Sequence, residues 1–470
     1  MIPMTSRAAE RVGPTPAKRR WTALVFLSLL QFLIAIDVTV VNIALPSIGQ
    51  DFQASPHALT WVVTGYTVVG GGLLLLGGRI SDLLGRRRMF VAGAAVFGVA
   101  SLVAGLAPGL PVLVLARFAQ GIGEALASPA AMSLIALMFT DPTERAKALG
   151  VWGAVSSSGL VFGVLLSGVI TDLASWRWVF LVNPPLVVAV LAVVPALVAR
   201  DPARRPERLD LPGAALLTAA PLLLVLGIVQ AEGHGWTSWP VLAPLAAGTA
   251  CGIAFVRHER RAENPLVRLR ILAHRTRLTA NGATVLLSAA LSTTFFLTTF
   301  YLQEVLDFGP LAAGVAFLPF CAALLLAVSV VGRVVNALGS RWTAVAGLLA
   351  TALGTAWLSR LPERGDYAVD LLPGLLAVAV GMGIGLIALQ NAALTDVTED
   401  DAGVASGMQR SVDQLGGALG LSVLVGVAAS SSAGATFGAE GYRWAFTAAL
   451  VGLGLATAAV IAFASRRPER

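Results

Sequence analysis

The sequence predicts an all-α integral membrane protein: two parallel six-helix bundles plus an inserted two-helix hairpin, about 14 transmembrane helices. Three observations predict it. Of 470 residues, 56% are hydrophobic and 13% charged, about half the ~25% charge of a soluble domain. Apolar runs of about 20 residues, enough to cross a bilayer as a helix, recur along the chain. Short motifs in the first part recur in the last part at a consistent interval.

The elements follow in order. A basic tail, 1–21, holds Arg7, Arg11, Lys18, Arg19 and Arg20. The apolar run after it, 22–45, is too long for a cleaved signal peptide and reads as the first membrane helix. Runs at 58–77, 89–107, 111–138, 148–171 and 177–198 complete an N-terminal six-helix bundle, 22–198. A linker, 199–277, contains the hairpin at about 211–256 (runs 211–230 and 237–256) and a basic segment. Runs at 278–304, 311–331, 342–360, 371–391, 403–429 and 442–464 form a C-terminal bundle, 278–464, before a short tail, 465–470. An even count returns both termini to one side. Arginines crowd alternate connections: Arg79 and Arg86 to Arg88, then Arg200, Arg204, Arg205 and Arg208, then seven from Arg257 to Arg277. The other connections hold only Arg177, Arg360, Arg364 and Arg443. Positive charge stays inside, so both termini are expected in the cytoplasm.

The repeats decide the architecture. "GGRISDLLGRRR" after the second run matches "VGRVVNALGSRW" after the tenth, aligning Gly78-Arg79 with Gly332-Arg333, Gly85 with Gly339 and Arg87 with Arg341. "WRWVF" opens the sixth run and "YRWAF" the fourteenth; "RAKALG" before the fifth resembles "AGVASG" before the thirteenth. Each shift is eight runs, with orientation kept. Two similar bundles in parallel can rock about a site between them, which is the logic of an alternating-access transporter.

Charges inside the runs are candidate functional residues, because a central Asp costs on the order of 3 kcal/mol to insert. Asp37 lies about 22 Å into the first helix. It is either a neutral, structurally hydrogen-bonded carboxyl or a paired, functional one. Arg117 in the fourth helix reaches a similar depth and is its natural counter-charge. Glu124, seven residues on, returns to within ~20° of the same face. It is a second protonation site, a recognition site for a cation, or only a partner for Arg117. Asp413, about 16 Å into the thirteenth helix, pairs structurally with Arg410 or has a functional role.

"IDVTVVNIALP", "GGRISDLLGRRR", "RFAQGIGEAL" and "WRWVFLVNPP" together resemble the major facilitator superfamily, specifically its 14-helix drug:proton antiporter group. The resemblance implies a proton-coupled secondary active efflux transporter for drugs or antibiotics, hydrophobic and cationic, in the cell membrane. It implies small-molecule substrate, protons and lipid bilayer as partners, no cofactor, and a monomer. Asp37 would take part in proton coupling, with Arg117, Glu124 and Asp413. A neutral residue is more usual at the Glu124 position, which leaves this carboxylate for a second proton or a cationic substrate. The loop with Gly78, Arg79, Asp82, Gly85, Arg86 and Arg87 would latch the cytoplasmic ends of the halves, Asp82 facing a helix N-terminus. The second copy has Asn336 at that position. In the fifth helix, Gly159, Gly163, Ser167 and Gly168 suit close helix packing. The antiporter signature usually has Gly-Pro where this chain has Gly163-Val164. A proton-coupled uptake symporter of the same fold therefore stays as the alternative.

Other classes are excluded on residues. His57, His234, His258 and His274 lie at run ends or in connections, so no intramembrane pair can ligate haem. The two lysines, Lys18 and Lys147, lie outside the runs and follow alanine, so neither a Schiff base nor a Gly-Lys phosphate loop is available. Cys251 and Cys321 are isolated in apolar runs, with no metal-ligand spacing. The net charge of +7 reads as topology anchors and not as nucleic-acid binding. An enzyme is not expected; an ion or substrate gradient is the energy source.

Overall fold

The computed structural model describes residues 17–199, 210–262, 265–267, 274–395, 397, 399–430 and 437–463. The first sixteen residues, most of the linker arginines and the tail 465–470 lie outside the described residues. The first half comprises α1 (Ala17–Phe52), α2 (Pro56–Leu84), α3 (Arg86–Gly105), α4 (Leu110–Met138), α5 (Pro142–Leu173), and the pair α6 (Trp178–Leu181) and α7 (Asn183–Leu197). The hairpin is α8 (Leu211–His234) and α9 (Trp239–Glu259). The second half comprises α10 (Arg275–Phe300) with a π turn (Tyr301–Val305), α11 (Pro310–Ala316), α12 (Leu318–Leu358), α13 (Leu372–Ala393) after a second π turn (Tyr367–Leu371), α14 (Glu399–Ser430) and α15 (Ala439–Phe463).

Thirteen helical stretches among the described residues are long and apolar enough to cross a membrane, not fourteen. The difference lies at Pro310–Leu358, a single stretch of 49 residues. At 1.5 Å per residue it is roughly 70 Å long, over twice a ~30 Å hydrocarbon core. It breaks at Gly339 (φ 75°, ψ 158°), so it crosses twice. Gly85, the residue the sequence aligns with Gly339, has φ 99° and ψ 126° between α2 and α3. Only glycine takes such angles without cost. α1 also differs from expectation: it begins within the basic tail and continues past Pro46, instead of ending at Leu45. Such prolines are tolerated where neighbouring helices re-satisfy the freed backbone groups.

The halves repeat each other's contacts. Arg20 Nη1 donates to Met138 O at 3.3 Å, tying the first helix to the end of the fourth; Arg277 Nε donates to Thr395 O at 2.8 Å in the second half. Arg177 Nη2 donates to Ala107 O and Arg443 Nε to Leu361 O, both at 3.2 Å, tying the last helix to the connection between the third and fourth. These are the arginines of "WRWVF" and "YRWAF". In each half the first helix packs on the fifth, α1 on α5 and α10 on α14. An added Cβ on Gly159 would lie 2.7 Å from Ala35 Cβ, and one on Gly416 2.6 Å from Val285 Cα. Gly163 and Gly420, four residues on, are as tightly opposed, to Thr39 and Ala289.

Between halves the pairing is reciprocal: α2 packs on α14, and α5 on α11. Cβ atoms added to Gly168 and Gly314 would lie 2.8 Å from Pro310 O and Val164 O respectively. That contact is at the face opposite the arginine-rich one. Towards the arginine-rich face, Gly150 and Gly153 of α5 and Gly332 of α12 adjoin open space. The halves touch at the Gly168–Gly314 end of this seam. The hairpin covers the other seam: α8 packs on both α2 and α14, and the His57 ring nitrogen Nε2 lies 3.1 Å from Val229 O.

Candidate functional site

Asp37, Arg117, Glu124 and Arg410 form two polar layers joined by α4. In the first layer Arg117, 1% exposed, meets Asp37, also 1% exposed. Arg117 Nη1 donates to Asp37 Oδ2, and Gln120 Nε2 donates to Asp37 Oδ1 at 2.9 Å. Arg117 also donates from Nε to Val62 O at 2.7 Å and from Nη1 to Gln120 Oε1 at 2.8 Å. Its guanidinium carbon lies 4.4 Å from the Tyr66 ring centre. Gln120 Nε2 reaches Ser101 Oγ at 2.8 Å, and Asn183 Nδ2 reaches the same oxygen at 3.4 Å. Five elements, α1, α2, α3, α4 and α7, thus enclose one ion pair. With four hydrogen bonds spread over Asp37 and its partner, the pair is held in place and desolvated. Asp37 is therefore not an isolated carboxyl. Nor does it face open space in this conformation; it is enclosed in the first half.

The second layer is two helical turns away and crosses between halves. Glu124, 1% exposed, does not pair with Arg117. Its Oε1 accepts from Gln414 Nε2 at 2.9 Å and lies 3.5 Å from Arg410 Nη2. Both partners are on α14. α2 lies between α4 and α14, and its Gly70 and Gly71 make the opening: added Cβ atoms there would lie 3.0 Å from Glu124 Oε2 and 2.9 Å from Gln414 Cβ. The Arg410 side chain is 42% exposed although mid-helix. It contacts a buried carboxylate of the other half, so its exposed part lies in the space between halves. Arg410 forms its ion pair with Glu124 and not with Asp413; Asp413 accepts from Ser288 Oγ on α10.

The loop after α2 is in a different state from the expected one. Asp82, 46% exposed, accepts from its neighbour Arg86, through Nε at 3.1 Å and Nη2 at 2.7 Å. Among the described residues it makes no hydrogen bond or ion pair with a helix N-terminus of the second half. Arg79 and Arg87 are half-buried. Gly78 has room, with an added Cβ 3.7 Å from Pro129 Cβ, whereas one on Gly77 would run into the Ala125 carbonyl. The close backbone approach is Gly77's. In α5, Gly159 and Gly163 pack on α1, and Ser167 Oγ donates to Val40 O at 2.6 Å on the same face. Gly168 faces the other half.

Gln120, Ser101, Asn183, Gln414 and Ser288 were not singled out by the sequence. Helical spacing could have found two of them: Gln120 is three residues from Arg117, and Gln414 four from Arg410. Among the described residues no group of three or more His, Cys, Asp or Glu side chains could hold a metal ion.

Comparison with known proteins places this geometry. The chain is 50% identical over 470 residues to the lincomycin resistance protein of Streptomyces lincolnensis, covering 99% of this chain and 96% of that one. It is 38% identical over 438 residues to the cephamycin export protein CmcT of Amycolatopsis lactamdurans, covering 92% and 90%. Its fold matches a crystal structure of a peptide transporter, POT, in complex with sulfate, at a TM-score of 0.71 and 14% identity, over 94% of this chain and 95% of that one. Residues 27–421 match the family model described as Major Facilitator Superfamily, and with two repeated six-helix halves about a shared polar seam the chain belongs to that family.

Proposed function

We propose that this transporter is a proton-coupled exporter of antibiotic-like small molecules, hydrophobic and cationic, working by alternating access. It acts as a monomer in the plasma membrane, with the arginine-rich face and both termini in the cytoplasm. The bundles 22–198 and 278–464 rock against each other about the α2–α14 and α5–α11 seams, parting towards the cytoplasmic ends of α5 and α12, where Gly150 and Gly332 adjoin open space.

One observation carries this reading: α4 bears both the enclosed Asp37–Arg117–Gln120 network and, two turns on, the Glu124 carboxylate that reaches the other half. A proton arriving at Asp37 cancels its charge and releases Arg117, whose remaining partners are neutral. Arg117 and Gln120 must then find new acceptors, which shifts α4 and changes the position of Glu124 against α14. Cargo and proton are thereby linked through one helix. Asp413 and the Asp82 loop serve as a second proton site and as a latch that engages when the cytoplasmic ends close. The names of the relatives support export as the direction, since a transporter protects a cell from an antibiotic by removing it.

The test uses everted membrane vesicles energised to an acidic lumen, with lincomycin as the first compound because of the relative named for resistance to it. An exporter releases lumenal protons when the drug is added. Drug movement with no proton release would exclude antiport.

A further inference from the structure

Beyond its bridge to α14, the Glu124 carboxylate has a second oxygen that α14 does not use. This Oε2 is buried with no well-formed hydrogen bond among the described residues, although the buried Tyr66 hydroxyl lies close to the carboxylate; Gln414 Oε1 is likewise buried without a partner. These two unmet acceptors lie together over one glycine: from an added Cβ on Gly70 they would be 3.0 Å and 3.3 Å away. A buried acceptor left unpaired costs free energy, more so when charged. Two such acceptors side by side, one a carboxylate and one an amide oxygen, match a cation that has at least two N–H groups. The nearest cation, Arg410, touches only the far oxygen, Oε1, at 3.5 Å, longer than a charge-assisted hydrogen bond. Its side chain remains 42% exposed.

We propose that Glu124 Oε2 and Gln414 Oε1, in the notch left by Gly70, form a binding site for a protonated primary or secondary amine, and that Arg410 is the resident cation this amine displaces. The proposal rests on the reading that the space between the halves carries the substrate. It adds a chemical class to that reading: the site selects N–H donors, not positive charge alone. Gly70 leaves the space a donor needs, Gln414 gives the second acceptor from the other half, and Arg410 keeps Glu124 partly neutralised while the site is empty. An arriving amine takes over that role and frees Arg410 from α4, loosening the one charged link between the halves in this layer.

The experiment measures equilibrium binding to the purified full-length protein with three fluorescent probes: dansylcadaverine (a primary ammonium), its trimethylammonium analogue, and neutral dansyl butylamide. Wild-type protein binds the primary ammonium on the order of tenfold more tightly than the trimethyl analogue, the value of one hydrogen bond to a charged group. Glu124→Gln removes that preference. Gly70→Ala weakens the primary ammonium and leaves the neutral probe unchanged. Arg410→Gln strengthens both cations by about two- to fivefold, the range of a partly exposed ion pair, and leaves the neutral probe unchanged, which controls for folding. Equal binding of the two cations, or no binding of the primary ammonium, overturns the acceptor pair. If Glu124→Gln then still weakens both cations alike, the cargo reading survives without it. Cation binding untouched by Glu124→Gln sinks both.

Discussion

Replacing Asp37 by Asn tests whether the enclosed ion pair is a proton carrier or a strut. The substitution keeps the shape and removes the titratable charge. What it leaves behind can be read from the contacts. Arg117 is 1% exposed and keeps Val62 O at 2.7 Å, Gln120 Oε1 at 2.8 Å and the Tyr66 ring. It loses the only ion-pair partner it has among the described residues. Breaking a buried pair by removing one partner costs about 3–5 kcal/mol. The amide oxygen of Asn still accepts one donor, so the expected loss is at the low end, about 3 kcal/mol. The double variant Asp37→Asn/Arg117→Met removes the orphaned charge and should recover most of that loss, because an ion pair replaced by neutral groups of similar volume is often near neutral in stability. SDS titration of the purified proteins reads the stability, and drug-induced proton release from energised everted vesicles reads the coupling. The expected pattern is Asn destabilised and uncoupled, and the double variant stable but still uncoupled. If the double variant recovers stability and also concentrates drug against its gradient, Asp37 is a strut and the proton path lies elsewhere.

Three other outcomes are expected. Asp82→Asn should change stability by no more than ~0.5 kcal/mol, as for an exposed i,i+4 pair, yet raise alkylation of a cysteine placed at Gly332, because the latch can no longer hold the cytoplasmic ends closed; unchanged alkylation would argue against the latch. Gly163→Val should abolish folding or expression through collision with Thr39 and the Ile36 carbonyl, whereas Gly150→Val, which adjoins open space, should express normally; detergent-extracted yield on gel filtration distinguishes them. With Cys251 and Cys321 replaced by alanine, a disulfide between Gly168→Cys and Leu311→Cys should arrest transport until reductant is added, since it fastens the outer contact that rocking must open; transport by the cross-linked protein would refute the rocking seam.

Much of this was legible in the sequence, for reasons that are physical. Depth arithmetic along straight helices was enough to pair Asp37 with Arg117, because two lone charges at one level have few alternatives in hydrocarbon. The repeat of "WRWVF" and "YRWAF" was legible because each arginine makes the same capping bond in its half. The pairing of Arg410 was not legible. Spacing within one helix favours Asp413, and only the packing of α2 between α4 and α14 brings Glu124 within reach. The neutral amides Gln120 and Gln414 were missed since an amide in a membrane helix does not stand out as a charge does. The state of Asp82 was hidden for another reason: a motif shows which residues can latch, but not whether the latch is closed.

The repeated halves share a scaffold but not a chemistry. Gly85 and Gly339 make equivalent turns, Arg177 and Arg443 equivalent caps, and glycine pairs on α5 and α14 equivalent grooves. Yet α13, the counterpart of α4, carries no charged residue from Leu372 to Ala393, while α4 holds Arg117 and Glu124. Two identical sites in a rocking pair would be driven alike by a proton, and nothing would distinguish proton from cargo. On the function proposed above, an ion pair inside one half and amine acceptors at the boundary with the other separate proton from cargo in space, while α4 links the two. The second half then supplies what the first lacks: Gln414 as an acceptor, Arg410 as a displaceable charge, and Asp413 held by Ser288 behind them. On that function, the symmetry of the fold provides the motion, and its loss along α4 and α14 gives that motion a direction.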